Sequence, residues 1–344
     1  MHFIGIDLHK KSITLCVVNQ QRTMVAHKTL TCVEPQKIVK FCQVYAPFHV
    51  VVEATASYEW LWELLQSEAE RLVLAHPKKL RVIAESTRKS DRLDAKVLAE
   101  FLALDMIPQA YRPTRRERQH RVLVRQRDYW RKRSASAKNK IRGILSNYNA
   151  DREDLFKEAG LKYLAELNAS SADRFVLRQL LGLWRFVTKQ RLSLDKALAA
   201  FAKQAPSREA EARAVLATIP GIGAVTIDIV LSELGDIARF RSTKRVSACA
   251  GLVPGLRESA GHTKELSITK EGSRLLRWAL VEAAWRLIRR SQRWHKIYES
   301  LRQRRGKKKA IVAVARRLLG VMVALLRTGQ PYAHDARRTP ATAG

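Results

Sequence analysis

Residues 3–18, FIGIDLHKKSITLCVV, hold two runs of branched and large apolar residues around a short polar stretch. Residues 3–6 and 13–18 read as adjacent strands, because β-branched side chains suit a pleated, half-buried surface, and residues 7–12 as the turn between them. Further along, His49-Val50-Val51-Val52 reads as a buried strand that ends at Glu53. Residues 35–45, 60–70 and a segment from 78 to 85 read as helices, and residues 72–75 as another strand. This alternation predicts an α/β domain with a central mixed sheet.

The whole chain has 344 residues, enough for two or three domains, with 64 Lys+Arg against 32 Asp+Glu and a formal charge of +32. Apolar residues at 46% exclude a disordered basic tail protein, which lacks the material for a core. A folded protein with this surplus is expected to face a polyanion. Nucleic acid leads, since each neutralised phosphate releases counterions, and an anionic membrane surface is the weaker rival. No apolar stretch reaches the ~18 residues of a membrane span. No secretory signal is visible, and Cys16, Cys32, Cys42 and Cys249 show no metal-ligand spacing. A reducing cytoplasm, in contact with the nucleoid, is the expected location.

From about Thr114 the composition changes. Residues 111–143 carry 13 Lys/Arg against Glu117 and Asp128, a surplus of +11, while Leu123, Trp130, Ala137, Ile141, Ile144 and Tyr148 keep helical spacing. This is a long basic helix. Leu177, Leu180, Trp184, Val187, Leu194, Leu198 and Phe201 form a coiled-coil seam on a second helix. The pair is compatible with an antiparallel hairpin in one chain or with a dimer contact. Residues 206–209 read as a linker before further helices. The expected organisation is an α/β domain over 1–112, a basic helical coiled-coil region over 113–205, an all-α carboxy-terminal domain over 206–332 and a disordered tail over 333–344.

Four constellations carry chemistry. Asp7 and Glu53 end strands, while Asp91 and Asp94 open a helix three residues apart and so share a face. Acids gathered at a sheet edge repel unless a hard divalent cation sits between them, which points to Mg²⁺, in a one- or two-metal site, and chemistry at phosphorus. Ile219-Pro220-Gly221-Ile222-Gly223 reads as the turn of a helix–hairpin–helix module, with Gly221 and Gly223 letting backbone approach a phosphate. Residues 250–263 read as a glycine-punctuated loop in which Ser259 is flanked by Arg257, Glu258 and His262. A serine can act as a nucleophile at phosphorus, and Ser247, Ser267 and Ser273 are equal candidates on residue chemistry alone. Arg115, Arg116, Arg131 and Lys132 of the basic helix, with Lys307 and Lys308 of the run at 304–309, are candidate phosphate contacts.

The order of these motifs resembles the insertion sequence 110 family of transposases. Gly5-Ile6-Asp7, Val52-Glu53-Ala54-Thr55 and Lys89-Ser90-Asp91 with Asp94-Ala95 resemble its amino-terminal domain. Ile219-Pro220-Gly221-Ile222-Gly223, Ala250-Gly251-Leu252-Val253-Pro254 and Glu258-Ser259 before Ile268-Thr269-Lys270 resemble its carboxy-terminal domain. The resemblance implies a RuvC-like, RNase H-type fold whose DEDD set, here Asp7, Glu53, Asp91 and Asp94, binds Mg²⁺. It implies that Ser259 attacks the DNA backbone and forms a phosphoserine link. It further implies a structured bridge RNA that pairs with target and donor DNA, and a homodimer that assembles into a tetramer. The family has Gly directly after the serine, where this chain has Ala260.

Two other classes are compatible with the residues. In a metal-dependent junction-resolving endonuclease the acids activate water and the serine is structural. In a non-enzymatic nucleic-acid-binding protein the acidic site is inert.

Overall fold

The computed structural model describes residues 1–55, 57–83, 91–259 and 262–333. The chain divides into two compact units, Met1–Arg112 and Pro113–Gly344.

In the first unit, β1 (His2–Leu8) and β2 (Ser12–Val18) pair antiparallel, and β3 (Met24–Thr31) extends the sheet beyond β2. β4 (Phe48–Glu53) and β5 (Arg71–Ala75) add in parallel on the other side, giving the order β3-β2-β1-β4-β5. The sheet is mixed, as the alternation predicts. β3 was not legible: it is an edge strand with half of its residues polar and none fully buried, so no sustained apolar run marks it.

Both faces of the central strands are covered. Ile4, Ile6, Val50 and Val52 pack with Ile38 and Cys42 of α1 (Pro35–Gln43) and with Leu61 and Leu65 of α2 (Glu59–Leu65). On the other face, Val51 and Val73 meet Leu80 of α3 (Pro77–Ile83) and Leu98 and Leu102 of α4 (Asp91–Ala103). Each such buried aliphatic side chain contributes roughly 1.5–3 kcal/mol of transfer free energy.

The second unit opens with α5 (Arg115–Ser146), started by a capping box between Thr114 and Glu117. After α6 (Glu158–Glu166) comes α7 (Ser171–Lys203), capped by Ser170. α5 and α7 run antiparallel against each other. The Arg127 guanidinium binds Asp195, the Trp130 ring meets Phe186 at 5.7 Å, and the Tyr148 hydroxyl binds Asp173. The coiled-coil seam is therefore filled within the chain rather than left for a dimer.

α8 (Ser207–Ala217), α9 (Ala224–Leu234) and α10 (Thr243–Cys249) follow, then a hairpin of β6 (Pro254–Ser259) and β7 (His262–Ile268). α11 (Arg274–Arg290), α12 (Gln292–Arg305) and α13 (Lys307–Thr328) complete the unit. Leu280, Ala284 and Leu287 of α11 and Val314, Leu318 and Met322 of α13 belong to one core with the ends of α8 and α9. Residues 254–259 and 262–263, read as loop, are strand; Arg257-Glu258-Ser259 and His262-Thr263 are polar throughout and carry no hydrophobic signal. Most of the expected disordered tail, residues 334–344, lies outside the described residues. No helix among the described residues is long and apolar enough to cross a membrane.

Candidate functional site

β1 and β4 pair in parallel through Ile6↔Val52. One residue further along each strand stand Asp7 and Glu53, so the two acids occupy the same level of neighbouring strands at the carboxy-terminal edge of the sheet. Asp7 is largely buried, with His9 Nε2 3.1 Å from its Oδ2. Glu53 pairs with Ala75 of β5, and the Ala54 amide donates to the Ala75 carbonyl at 3.0 Å, which extends the register past the strand end.

α4 brings in the other two acids. A Cβ on Gly5 would stand 2.0 Å from the Ala95 carbonyl oxygen and 2.5 Å from the Ala99 nitrogen, so only glycine lets this helix lie directly on β1. Later residues of α4, Leu98, Leu102 and Ala103, pack toward Phe3 at the start of the strand. The helix thus runs antiparallel to β1, and its first turn, with Asp91 and Asp94, lies toward the Asp7 end. Asp94 is exposed. The Asp91 side chain, and Lys89 and Ser90 of the same motif, lie outside what the structure describes. A donor set of four carboxylates has the hard-oxygen chemistry that suits Mg²⁺. Among the described residues, no three His, Cys, Asp or Glu side chains gather closely enough to hold a metal ion.

Two polar groups at this edge escaped the sequence reading. Thr55 Oγ1 and His76 Nδ1 are buried and lack a hydrogen-bond partner. Their backbones are held: the Thr55 amide donates to the Glu53 carbonyl at 2.8 Å and the His76 amide to the Pro108 carbonyl at 2.8 Å. A His-Pro step directly after a strand was the available signal.

Ser259 occupies the end of β6, opposite His262; its side chain, Ala260 and Gly261 lie outside what the structure describes. The base of the hairpin is a tight clasp. Gly251 at φ +66° and Gly272 at φ +82° bring the incoming and outgoing chains together, and a Cβ on either would stand about 2 Å from a carbonyl oxygen of the opposite chain. Arg277 Nη1 donates to the carbonyls of Ala250, Glu271 and Gly272 at 3.0–3.3 Å. The rival serines are otherwise engaged in two cases: Ser247 is buried, and Ser273 Oγ accepts from the Leu276 amide as the α11 cap. Ser267 is exposed on β7.

The candidate phosphate contacts separate into two groups. Arg116 binds Glu209 and lies over the Phe201 ring at 4.0 Å. Arg131 and Lys132 both bind Asp128, with Arg131 also 3.9 Å over Trp278. These three are tied into the protein. Arg115, Lys307 and Lys308 are exposed. Gly221, at φ +82°, makes the turn between α8 and α9, and Gly223 precedes α9 with open space at its Cα.

Comparison with known proteins follows the same order along the chain. A family model described as a transposase, of the IS110 DEDD type, matches residues 4–150. A second, described as the transposase IS116/IS110/IS902 family, matches residues 213–299. The transposase for insertion sequence element IS1111A of Coxiella burnetii is 26% identical over 342 residues, covering 96% of this chain and 90% of the relative. A pilin gene-inverting protein of Moraxella bovis is 25% identical over 344 residues, covering 96% and 97%. A probable family 20 transposase of Pseudomonas aeruginosa is 24% identical over 336 residues, covering 94% and 96%. With both family models present in order and relatives matched along nearly the full length, the chain belongs to the IS116/IS110/IS902 family of transposases and is an enzyme of DNA recombination.

Proposed function

We propose that the chain is an RNA-guided transposase that cuts and rejoins DNA through a phosphoserine intermediate. The Ser259 oxygen bonds to phosphorus while the bond from phosphorus to a deoxyribose oxygen breaks, and that oxygen leaves as a hydroxyl after taking up a proton. Attack by a hydroxyl of another strand end on the phosphoserine reverses the step and rejoins the DNA. Asp7, Glu53, Asp91 and Asp94 are the residues that would hold Mg²⁺. When bound, the ion would polarise the phosphoryl oxygens and stabilise the charge that develops during displacement.

The observation that carries this reading is the level pairing of Asp7 and Glu53 on parallel strands, with α4 laid on β1 at Gly5. The arrangement is that expected of a RuvC-like domain. The glycine clasp under the β6–β7 hairpin supports a role for Ser259, because a nucleophile needs a fixed backbone beneath it. We read residues 113–205 as an arm that helps to hold a bridge RNA, residues 206–332 as the serine-bearing region, and the active assembly as a dimer of this chain that forms a tetramer. Exposed Leu183 and Phe186 on α7 favour an assembly contact. Site choice by base pairing would leave the protein mainly backbone contacts, in keeping with the +32 charge.

The test is a denaturing gel of the purified protein with its element RNA, Mg²⁺ and labelled DNA, beside Ser259→Ala. A covalent protein–DNA adduct that is absent from the variant is expected. Cleavage that persists in Ser259→Ala with no adduct would instead assign hydrolysis by the acidic site. Omitting the RNA should abolish site choice, and site choice that survives its omission rejects RNA guidance.

A further inference from the structure

The cations of the second unit are disposed in two ways. On α5, Arg116, Arg125, Arg127, Arg131 and Lys132 each reach a carboxylate within the unit. Residues 274–317 carry 15 Lys/Arg against two acids, Glu282 and Glu299. Among the described residues their carboxylate contact is Arg302 with Glu299. The charge that dominates the sequence of α5 is therefore largely spent on internal pairing, whereas that of α11–α13 faces outward.

One point on this outward surface is built rather than diffuse. In the turn between α8 and α9, Ile219 and Ile222 are anchored in the core. Gly221 between them lies on α11: a Cβ there would be 3.1 Å from Arg286 Cβ and 3.5 Å from Arg290 Cδ. The turn rests on the stems of two exposed arginines, one helical turn apart, that have no acid or carbonyl partner among the described residues. Like charges at i,i+4 repel by a few tenths of a kcal/mol. Arg290 is eased by the helix C-terminus, but Arg286 lies a turn earlier, where the dipole is weaker. A polyanion would relieve both.

The geometry points to the 218–223 turn with Arg286 and Arg290 as a contact for the phosphate backbone of duplex DNA, and away from α5 as the main duplex-binding face. This rests on the reading that the chain acts on DNA. Single strands and RNA loops are taken up by stacking on exposed aromatic rings. Among the described residues no Phe, Tyr or Trp ring is exposed at this turn or along α11 and α12, where Trp285 is packed on Tyr298 at 5.3 Å and the exposed ring is the imidazole of His295. Contacts confined to phosphate are independent of sequence and steeply dependent on salt.

The test is fluorescence anisotropy of the full-length protein with a labelled duplex of arbitrary sequence, titrated over a series of salt concentrations. Arg286→Gln/Arg290→Gln is expected to lower the slope of log affinity against log salt by about one to two units. It should weaken binding about tenfold at fixed salt, with thermal unfolding unchanged. Arg125→Gln should leave the slope as in the wild type. An unchanged slope in the double variant overturns the inference, as does a loss confined to structured RNA. A wild-type protein that binds no duplex overturns the DNA reading itself and the inference with it.

Discussion

Gly5 of β1 sits under the carbonyl oxygen of Ala95 in α4, with room for a hydrogen and none for a methyl group. Gly5→Ala must push the helix off the sheet, because the nearest atoms are backbone and cannot rotate away. Overpacking typically costs 1–3 kcal/mol, and a backbone obstacle places this variant at about 3 kcal/mol. Asp94 and Asp91 travel with α4, so DNA cleavage should fall further than DNA binding. Thermal unfolding and duplex binding on the same sample check this. A variant with wild-type stability and cleavage would mean that the helix is not held here.

Arg277 closes the clasp beneath the β6–β7 hairpin through three carbonyls. In Arg277→Met those acceptors lose a charged donor, at a local cost of roughly 1–3 kcal/mol. Amide hydrogen exchange in residues 254–268 should accelerate while α13 stays protected. Covalent adduct yield should drop with duplex affinity retained. Unchanged exchange in the hairpin would rule out a positioning role.

Glu209 joins α5 to α8. Burial pushes its carboxyl up, but hydrogen bonds and charges from Arg116 and Arg213 outweigh this and hold it below the ordinary glutamate value. Arg213 also binds Asp228, which pairs with buried His120 at 2.9 Å. A depressed folded-state value means that the stabilisation is complete above the unfolded value of about 4.3 and is lost as pH falls through the lower folded one. Glu209→Gln should therefore be less stable than wild type by about 1–3 kcal/mol at neutral pH, with the gap closing in acid below about pH 4. Denaturant titrations at several pH values read this directly. A gap independent of pH would show that the pairing is not ionic.

Arg127 and Asp195 link α5 to α7 at a place where the arginine is mostly buried. A double-mutant cycle with Arg127→Gln and Asp195→Asn should give a coupling of about 1 kcal/mol or more. A value under about 0.3 kcal/mol would place the pair among exposed ion pairs, which contribute little.

The four strands of the sheet other than β3 were legible from their branched runs, one of which stops at Glu53. The run before Asp7 was read two residues too short, since Asp7 and Leu8 pair with β2 instead of opening the turn. The basic helix was legible from its charge and its periodicity. What could not be read is pairing at long range. The +11 of the basic segment suggested a phosphate-binding face, yet Arg116, Arg125 and Arg127 find Glu209, Glu233 and Asp195 some 70–110 residues away. No window on the sequence brings those together. Residues 254–263 failed for another reason, since a hairpin whose strands carry consecutive polar residues around Ala260-Gly261 looks like loop.

The antiparallel packing of α5 on α7 has a consequence for how this chain could be lengthened. The two ends of the pair belong to separate cores, one around Val124 and Leu198 and the other around Ile141, Leu145 and Leu177. Between them the facing positions recur at about every seventh residue, so seven residues added to each helix would extend the pair by about 10 Å and restore the same facing positions. Seven added to one alone would shift every contact beyond the insertion. The pair is thus a ruler graduated in matched heptads, which could be lengthened while the cores at either end keep their contacts.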